Sequence, residues 1–177
     1  MNYKVDHRYS LALFNASEEI NCREEIAKDA INLINLLKNE RELRLFFASP
    51  VIKNEKKIKI VESFFKPRLN YLMVDFMKLL ILRNREGMIV NILKEFLLLK
   101  DDREGILNVN VTTAVKLENE LEGKFKMIFD DYTKLNCRTE FETDEKIIGG
   151  FKVQFKDVVV DASIKRQLEL LKNKFNE

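Results

Sequence analysis

The sequence has little of what builds irregular or cross-linked proteins. Two prolines and five glycines in 177 residues leave few positions that interrupt helices, so long regular elements are expected. Cys22 and Cys137 stand far apart and outside any CxxC pair, which indicates inert thiols in a reducing compartment. No apolar run is long enough to span a bilayer, and the N-terminus is too charged for a signal peptide. We expect the mature chain to begin near Met1, in the cytoplasm.

An excess of charge of one sign is also lacking. The formal net charge is +2, although 34% of the residues are charged. Nucleic-acid-binding proteins usually gather a larger basic excess on one face. The densest basic run lies at 53–59 and spreads around a helix, so we interpret it as a solvated face rather than a phosphate-binding patch. Its members are Lys53, Lys56, Lys57 and Lys59.

Groups that could carry out catalysis are few. His7 is the only histidine, and no second histidine is available to share a metal site with it. The acidic cluster at 101–104 is ordinary for a solvated turn. Gly149 and Gly150 lead into a strand rather than a helix, which favours a bulge or a close backbone contact over a phosphate loop. We therefore expect no catalytic, metal or cofactor site.

Apolar residues recur at helical spacing from Val5 to Leu99, which predicts six helices with short connections, packed antiparallel. Pro50 ends the third helix because proline disfavours helical backbone in the residue before it. Pro67 is expected to start the fifth helix. The first helix carries its stripe on Val5, Tyr9, Ala12, Leu13 and Ala16, and the fifth on Leu69, Leu72, Met73, Phe76, Leu79, Leu80 and Arg83.

The period changes after Gly105. Apolar and polar residues alternate from Leu107 to Thr113, which predicts a half-buried strand. Asp161 or Ser163 can cap a last helix. The other predicted elements are a helix from Ala114 to Lys134, strands at 138–143, 147–155 and 158–160, a polar turn at Lys156-Asp157, and the last helix with Ile164, Leu168, Leu171 and Phe175.

The residues alone thus predict a mainly α protein. A helical bundle at 1–104 is followed by a small α/β domain at 105–177, with the boundary in the polar stretch at 101–106. Because no reactive cluster is visible, an interaction protein is favoured over an enzyme.

Several stretches, in order, match the pattern of one known family. RYSLALF at 8–14 resembles its opening RYAxALF, with Ser10 in place of the common alanine. Residues 76–96 resemble its fifth helix and the following turn, and 109–117 its V-x-V-x-T/S-A-x-x-L segment. GGFKV at 149–153 and VVDASIK at 159–165 resemble its glycine pair, hairpin and terminal helix. The family is that of the delta subunits of bacterial F-type ATP synthases, related to the mitochondrial oligomycin-sensitivity-conferring protein.

The resemblance implies a non-catalytic stator subunit of the peripheral stalk, which links the catalytic head to the membrane sector and resists rotor torque during ATP synthesis. Its N-terminal six-helix bundle would bind the N-terminal helix of an alpha subunit in a groove between the first and fifth helices. Its C-terminal domain would bind the C-terminal ends of the b subunits. No cofactor, nucleic acid or membrane span is implied. The isolated chain would be a monomer that works at the cytoplasmic face of the bacterial inner membrane.

The family's functional positions can be carried over by motif. The residues expected to contact the partner are Tyr9, Ala12, Leu13, Leu80, Asn84 and Arg85. The residues of the C-terminal structural motif are Gly149, Gly150, Asp161 and Ser163. The turn after the fifth helix reads Asn-Arg-Glu-Gly at 84–87, a departure from the commoner Asn-Gly-Arg. The alternative functions are a helical RNA-binding factor of the transcription-antitermination type and, third, a small hydrolase.

Overall fold

The computed structural model describes residues 3–156 and 158–175; Asp157, half of the predicted polar turn, lies outside the described residues. The helices are α1 (Tyr3–Glu19), α2 (Arg23–Asn39), α3 (Arg41–Ala48), α4 (Asn54–Ile60, continued by a π-helical turn at Val61–Phe65), α5 (Tyr71–Leu82), α6 (Ile89–Arg103), α7 (Asn119–Thr133) and α8 (Ile164–Phe175). The strands are β1 (Ile106–Thr113), β2 (Asn136–Thr143), β3 (Phe151–Phe155) and β4 (Val158–Asp161).

The protein is mainly helical, with a four-stranded sheet towards the C-terminus. It divides into two compact units, the first up to Lys100 and the second from Asp101 onward. In the residues that the structure describes, six α-helices precede β1, and α6 runs through the acidic stretch as far as Arg103. None of the helices in the described part of the chain is long and apolar enough to cross a membrane.

The first unit is built around one apolar core. Helix α2 shows why helical spacing of apolar residues predicts a buried face, since the residues at that spacing are all buried: Ile26, Ala30, Leu33, Ile34 and Leu37. Phe14 on α1 and Phe96 on α6 meet in this core with ring centroids 6.2 Å apart. Burial of such stripes, at about 25 cal/mol per Å² of apolar surface, is the main stabilising contribution to the bundle.

The predicted stripe of α1 is not its buried face. Asp6, Ser10 and Ser17 are buried beside Leu13 and Phe14. The two serines can lie there because each hydroxyl donates a hydrogen bond to a carbonyl one turn earlier, Ser10 Oγ to His7 O (2.9 Å) and Ser17 Oγ to Phe14 O (2.7 Å). Because these hydroxyl groups form hydrogen bonds within the helix, α1 can bury this face instead of the one that hydrophobicity predicts. Of the predicted stripe, Val5, Tyr9 and Ala16 are half-buried and Ala12 is exposed.

The prediction that Pro67 starts α5 is wrong. Pro67 lies in the turn before the helix, and α5 begins at Tyr71. Asn70 is the N-cap, since its side-chain oxygen accepts a hydrogen bond from the Leu72 backbone N–H at 3.0 Å. Proline is only tolerated in the first turn of a helix, whereas the Asn70 side chain satisfies a backbone N–H that would otherwise lack a partner. The cap therefore favours a helix start after Asn70.

The second unit has the sheet order β2-β1-β3-β4. Strands β1 and β2 are parallel and are joined by α7, whereas β3 and β4 add as antiparallel neighbours. The alternation predicted for β1 is confirmed. Its buried side chains form the core of this unit with residues of β2 and β3: Leu107, Val109, Val111, Cys137 and Val153.

Two boundaries in this unit differ from the prediction by more than two residues. Helix α7 starts at Asn119 rather than Ala114, because the preceding residues leave β1 in an irregular segment. The strand predicted at 147–155 shortens to Phe151–Phe155 because Ile148 and Gly150 both have positive φ angles, 69° and 74°. Left-handed backbone of this kind cannot continue a strand.

Candidate partner-binding surface

An open groove runs between α1 and α5 in the first unit. It has a volume of about 360 Å³. Arg8, Tyr9 and Ala12 line it from α1, and Leu79 and Arg83 line it from α5 and its C-cap. Ala12 is exposed because α1 turns its serine-rich face inward, and its single methyl group fills little of the groove. A small side chain at this position allows the backbone of a bound helix to approach closely.

The structure brings together only part of the predicted partner-contact set. Tyr9 and Ala12 line the groove. Leu13 and Leu80 are 1% and 0% exposed, so they support the groove from within the core and offer almost no surface to a partner. Asn84 and Arg85 are exposed in the turn after α5.

Leu79 and Arg83 were missed as site residues because the predicted stripe of α5 placed them in the core. Leu79 is 42% exposed, and Arg83 is exposed at the helix C-cap. The spacing of the apolar residues on α5 could have indicated that Leu79 is partly exposed. Leu79 lies one residue before the buried Leu80 and three after Phe76, which places it at the edge of the stripe.

The turn that ends α5 is held by contacts to α4. Asn84 has a φ of +53°, and its side-chain oxygen accepts a hydrogen bond from the Asn54 amide at 3.2 Å. Arg85 N donates to Leu80 O at 2.8 Å, which closes the helix end. Glu86 is buried, and its carboxylate lies 2.5 Å from the ammonium of Lys57. The conformation of the turn beside the groove is therefore set by two residues one turn apart on α4.

Lys57 corrects the interpretation of the basic run as a wholly solvated face. Its side chain is 1% exposed. Besides the ion pair with Glu86, its ammonium donates a hydrogen bond to Phe47 O at 2.8 Å, in the last turn of α3. Lys53, Lys56 and Lys59 are exposed, as predicted.

Ionisable groups also meet where α1 packs near α6. His7 Nδ1 lies 3.0 Å from a carboxylate oxygen of Glu95. Burial, reinforced by the charge of Glu95, raises the pKa of the Asp6 carboxyl above its usual value. His7 is thus a hydrogen-bonded histidine of the bundle.

The C-terminal motif residues order the start of α8. Asp161 accepts a hydrogen bond from Ser163 N at 3.0 Å, and Ser163 Oγ accepts one from Arg166 N at 3.2 Å. Hydrogen bonds from Ser163 lower the pKa of the Asp161 carboxyl. A Cβ atom on Gly150 would lie 2.4 Å from Ala162 O, which confirms the predicted close backbone contact, and one on Gly149 would meet the side chain of Ile164. The motif is structural because its contacts join the β3 start to the α8 start.

The remaining candidates for chemistry are accounted for by structural contacts. Burial raises the pKa of both thiols, Cys22 and Cys137, so neither is an activated nucleophile. In the acidic cluster, Asp101 pairs with Arg138 at 3.0 Å and Asp102 with Lys156 at 2.7 Å. Among the residues that the structure describes, no group of three or more His, Cys, Asp or Glu side chains is placed to hold a metal ion.

The second unit exposes much apolar surface. No residue of α7 is buried, and Met127 and Tyr132 on it are 72% and 83% exposed. All three valines of β4 are at least 48% exposed. Exposed apolar groups gathered on one small unit mark surfaces that other chains cover.

The fold and these surfaces define a class of protein: a mainly helical adaptor with a small C-terminal sheet unit, whose open apolar surfaces suit other protein chains. The model of the ATP synthase delta (OSCP) subunit family matches residues 5–175, and the chain belongs to that family. The members of this family are structural, non-catalytic subunits in the peripheral stalk of the F-type ATP synthase.

Similar proteins support this assignment along nearly the whole chain. The ATP synthase subunit delta of Chlorobium phaeobacteroides is 32% identical over 173 residues, which is 98% of this chain and 96% of the relative. That of Chlorobaculum parvum is 34% identical, covering 96% of this chain and 93% of the relative. A chain in the cryo-EM structure of the Toxoplasma gondii mitochondrial ATP synthase hexamer matches with a TM-score of 0.79 over 97% of both chains. At 19% identity, this last match shows the fold alone.

Proposed function

We propose that the chain ties the catalytic head of the synthase to its b subunits and so resists the torque of the rotor during ATP synthesis. In this proposal the first domain, 1–104, is a six-helix bundle that binds the N-terminal helix of an alpha subunit. The second domain, 105–177, binds the C-terminal ends of the b subunits. The complex lies at the cytoplasmic face of the bacterial inner membrane, and the isolated chain is a monomer.

The groove between α1 and α5 is the observation that carries the proposal. Tyr9 and Leu79 offer apolar side walls around the small Ala12. An amphipathic helix binds such a groove by inserting apolar side chains at i, i+3 and i+4. Arg8 and Arg83 add positive charge to the lining, so the best occupant carries carboxylates beside its apolar face.

The other residues of the predicted contact set have roles that fit this assignment. Leu13 and Leu80 fill the core beneath the groove and fix the distance between its walls. Asn84 and Arg85 lie at its C-terminal end, in the turn held by α4, and can contact the end of a bound helix. Family membership favours this function over RNA binding, and the net charge of +2 agrees.

The assignment of the b subunits to the second domain rests on surface chemistry. The small sheet, with its own core, leaves α7, β4 and α8 with large apolar side chains in solvent. An interface of standard size needs about 800 Å² on each partner, with an apolar centre. These elements supply such a centre within one small unit.

The substitution Ala12→Glu in the full-length chain tests the groove. We expect the affinity for a peptide of the alpha subunit's N-terminal helix to fall by about 2 kcal/mol or more, roughly 30-fold, because a carboxylate would lose its water where a helix must pack closely. Asn35→Glu adds the same charge to an exposed position of α2, a helix that does not line the groove, and should bind normally.

Calorimetric titration of the wild-type chain and both variants measures these affinities. Binding to the soluble part of the b subunits should be the same in all three, because the change lies in the first unit. If Ala12→Glu binds the peptide as tightly as the wild type, the groove between α1 and α5 is not the alpha-subunit site.

A further inference from the structure

A second open groove lies in the first unit, between the C-terminal part of α2, α3 and the π-helical turn that continues α4. It has a volume of about 590 Å³. Four large apolar side chains and two carboxylates line it: Leu36, Glu40, Glu42, Leu43, Phe46 and Phe64. None of these residues lines the groove between α1 and α5. The first unit therefore carries two open grooves, each on its own set of helices.

The apolar wall of this second groove is held in place by the rest of the unit. Leu43 and Phe46 are half-buried and pack against the first core. Phe64 is 42% exposed, and the Arg68 guanidinium lies 4.2 Å from the centroid of its ring. Arg68 also donates a hydrogen bond to Phe64 O at 2.7 Å. Because the exposed ring is already positioned, a partner that covers it loses little conformational entropy in ordering it.

Phe64 lies on an irregular piece of backbone. The turn at Val61–Phe65 is π-helical, a rare form that occurs mostly as single turns and frequently at functional sites. Val61 and Phe65 are buried in the core, whereas Phe64 is on the outside of the turn. The rings of Phe64 and Phe65 meet edge to face, with centroids 5.0 Å apart. The turn thus anchors one aromatic ring in the core and presents the next one to solvent.

The charge at the rim of the second groove is negative. Glu40 and Glu42 are exposed, and within the described part of the chain neither of them makes an ion pair. Of the neighbouring cations, Arg68 stacks on Phe64, and Arg44 lines a different cavity. The groove between α1 and α5 is instead lined by two arginines. A helix whose charges suit one of the grooves is therefore disfavoured at the other.

We propose that the second groove docks an amphipathic helix of another protein chain, with lysines or arginines beside its apolar face. Its apolar side chains lie on Phe46 and Phe64, and its cations face Glu40 and Glu42. An open groove leaves much of a small molecule in solvent but accommodates one face of a helix. The proposal goes beyond the proposed function, because this groove shares no residue with the surfaces assigned to the alpha and b subunits.

The probe is a synthetic helical peptide with leucines at i, i+3, i+4 and i+7 and lysines at the flanking positions. Calorimetry with the full-length chain should show binding that weakens as salt is added. Glu40→Lys with Glu42→Lys should lower the affinity roughly 10-fold or more at low salt, because attraction becomes repulsion. Phe64→Ala should lower it at every salt concentration, because apolar contact is lost. A peptide with glutamates in place of the lysines should not compete with the lysine peptide.

The matched control is Glu19→Lys with Glu55→Lys, which reverses two exposed acids of the first unit outside the groove lining. It should bind the lysine peptide within about twofold of the wild type, since distant surface charges are screened. Glu40→Lys with Glu42→Lys should keep the wild-type affinity for the alpha-subunit peptide, so this test and that of the α1–α5 groove fail independently.

Three outcomes would overturn the proposal. The first is a wild-type chain that does not bind the lysine peptide. The second is unchanged binding in both Glu40→Lys with Glu42→Lys and Phe64→Ala. The third is dimerisation of the wild-type chain that Phe64→Ala abolishes, which would assign the groove to a second copy.

Discussion

The ammonium group of Lys57, on α4, contacts two other segments of the first unit. It meets the Phe47 carbonyl in the last turn of α3 and the Glu86 carboxylate in the turn between α5 and α6. A cation placed near the end of a helix also compensates the partial negative charge of the carbonyls there. Among the described residues, the other oxygen of Glu86, Oε2, is buried without a hydrogen-bond partner, so the contact with Lys57 is the one that this carboxylate makes through Oε1. One residue thus connects α3, α4 and the turn beside the groove.

Lys57→Met should strongly destabilise the first unit. The substitution leaves the Glu86 carboxylate buried without its counter-ion, and breaking a buried pair in this way costs about 3–5 kcal/mol. Urea unfolding followed by circular dichroism measures the free energy of unfolding. Lys56→Met, at an exposed neighbour, should stay within about 0.5 kcal/mol of the wild type.

The double variant Lys57→Met with Glu86→Met tests whether the loss of stability comes from the unpaired charge of Glu86. Replacing both charges with apolar groups of similar volume should recover most of the loss, because no buried charge remains. If Lys57→Met alone costs less than about 1 kcal/mol, water reaches the pair and the contact is not a structural one.

At the scale of elements, each helix and strand depends on how its end is made as much as on its apolar face. An asparagine cap starts α5, a serine cap starts α8, and Lys134 with φ +56° ends α7. The junction between β3 and α8 is the most constrained. There Gly150 combines a φ of +74° with the carbonyl of Ala162 at a distance that no side chain tolerates.

Gly150→Val should destabilise the second unit by about 1–3 kcal/mol or more, because a β-branched residue is strained at positive φ and its Cβ would collide with backbone. Gly123→Ala in α7 should instead stabilise the second unit. Nothing lies within 4 Å of the added methyl, so helix propensity alone should stabilise the unit by about 0.5–1 kcal/mol. Amide hydrogen exchange resolves the effect along the chain. Equal loss of protection in α2 and β1 of the Gly150→Val variant would mean that the two units unfold together.

At the scale of the whole molecule, the two units have separate apolar cores. The buried residues of the first lie between Leu13 and Phe96, and those of the second between Leu107 and Val153. Among the described residues, no buried side chain belongs to both clusters. A unit with its own core can fold without the other.

A fragment that ends at Arg103 should therefore fold alone and bind the alpha-subunit peptide with the affinity of the full chain. It contains α1 to α6, the first core and every residue that lines the groove. Circular dichroism tests the folding and calorimetry the binding. A fragment that folds but fails to bind the peptide would show that the second unit contributes to the site.

The sequence by itself determined the mainly helical first part, the strand after Gly105, the glycine contact and, through its ordered motifs, the family. Those features depend on local spacing and on short-range turn chemistry, which neighbouring residues specify. Tertiary structure alone decided that α1 turns two serines inward, that Lys57 is buried, and that Leu79 and Arg83 line the groove while Leu13 and Leu80 do not. Hydrophobic periodicity gives the approximate direction of the buried face of a helix, whereas the burial of each side chain depends on the helices packed against it.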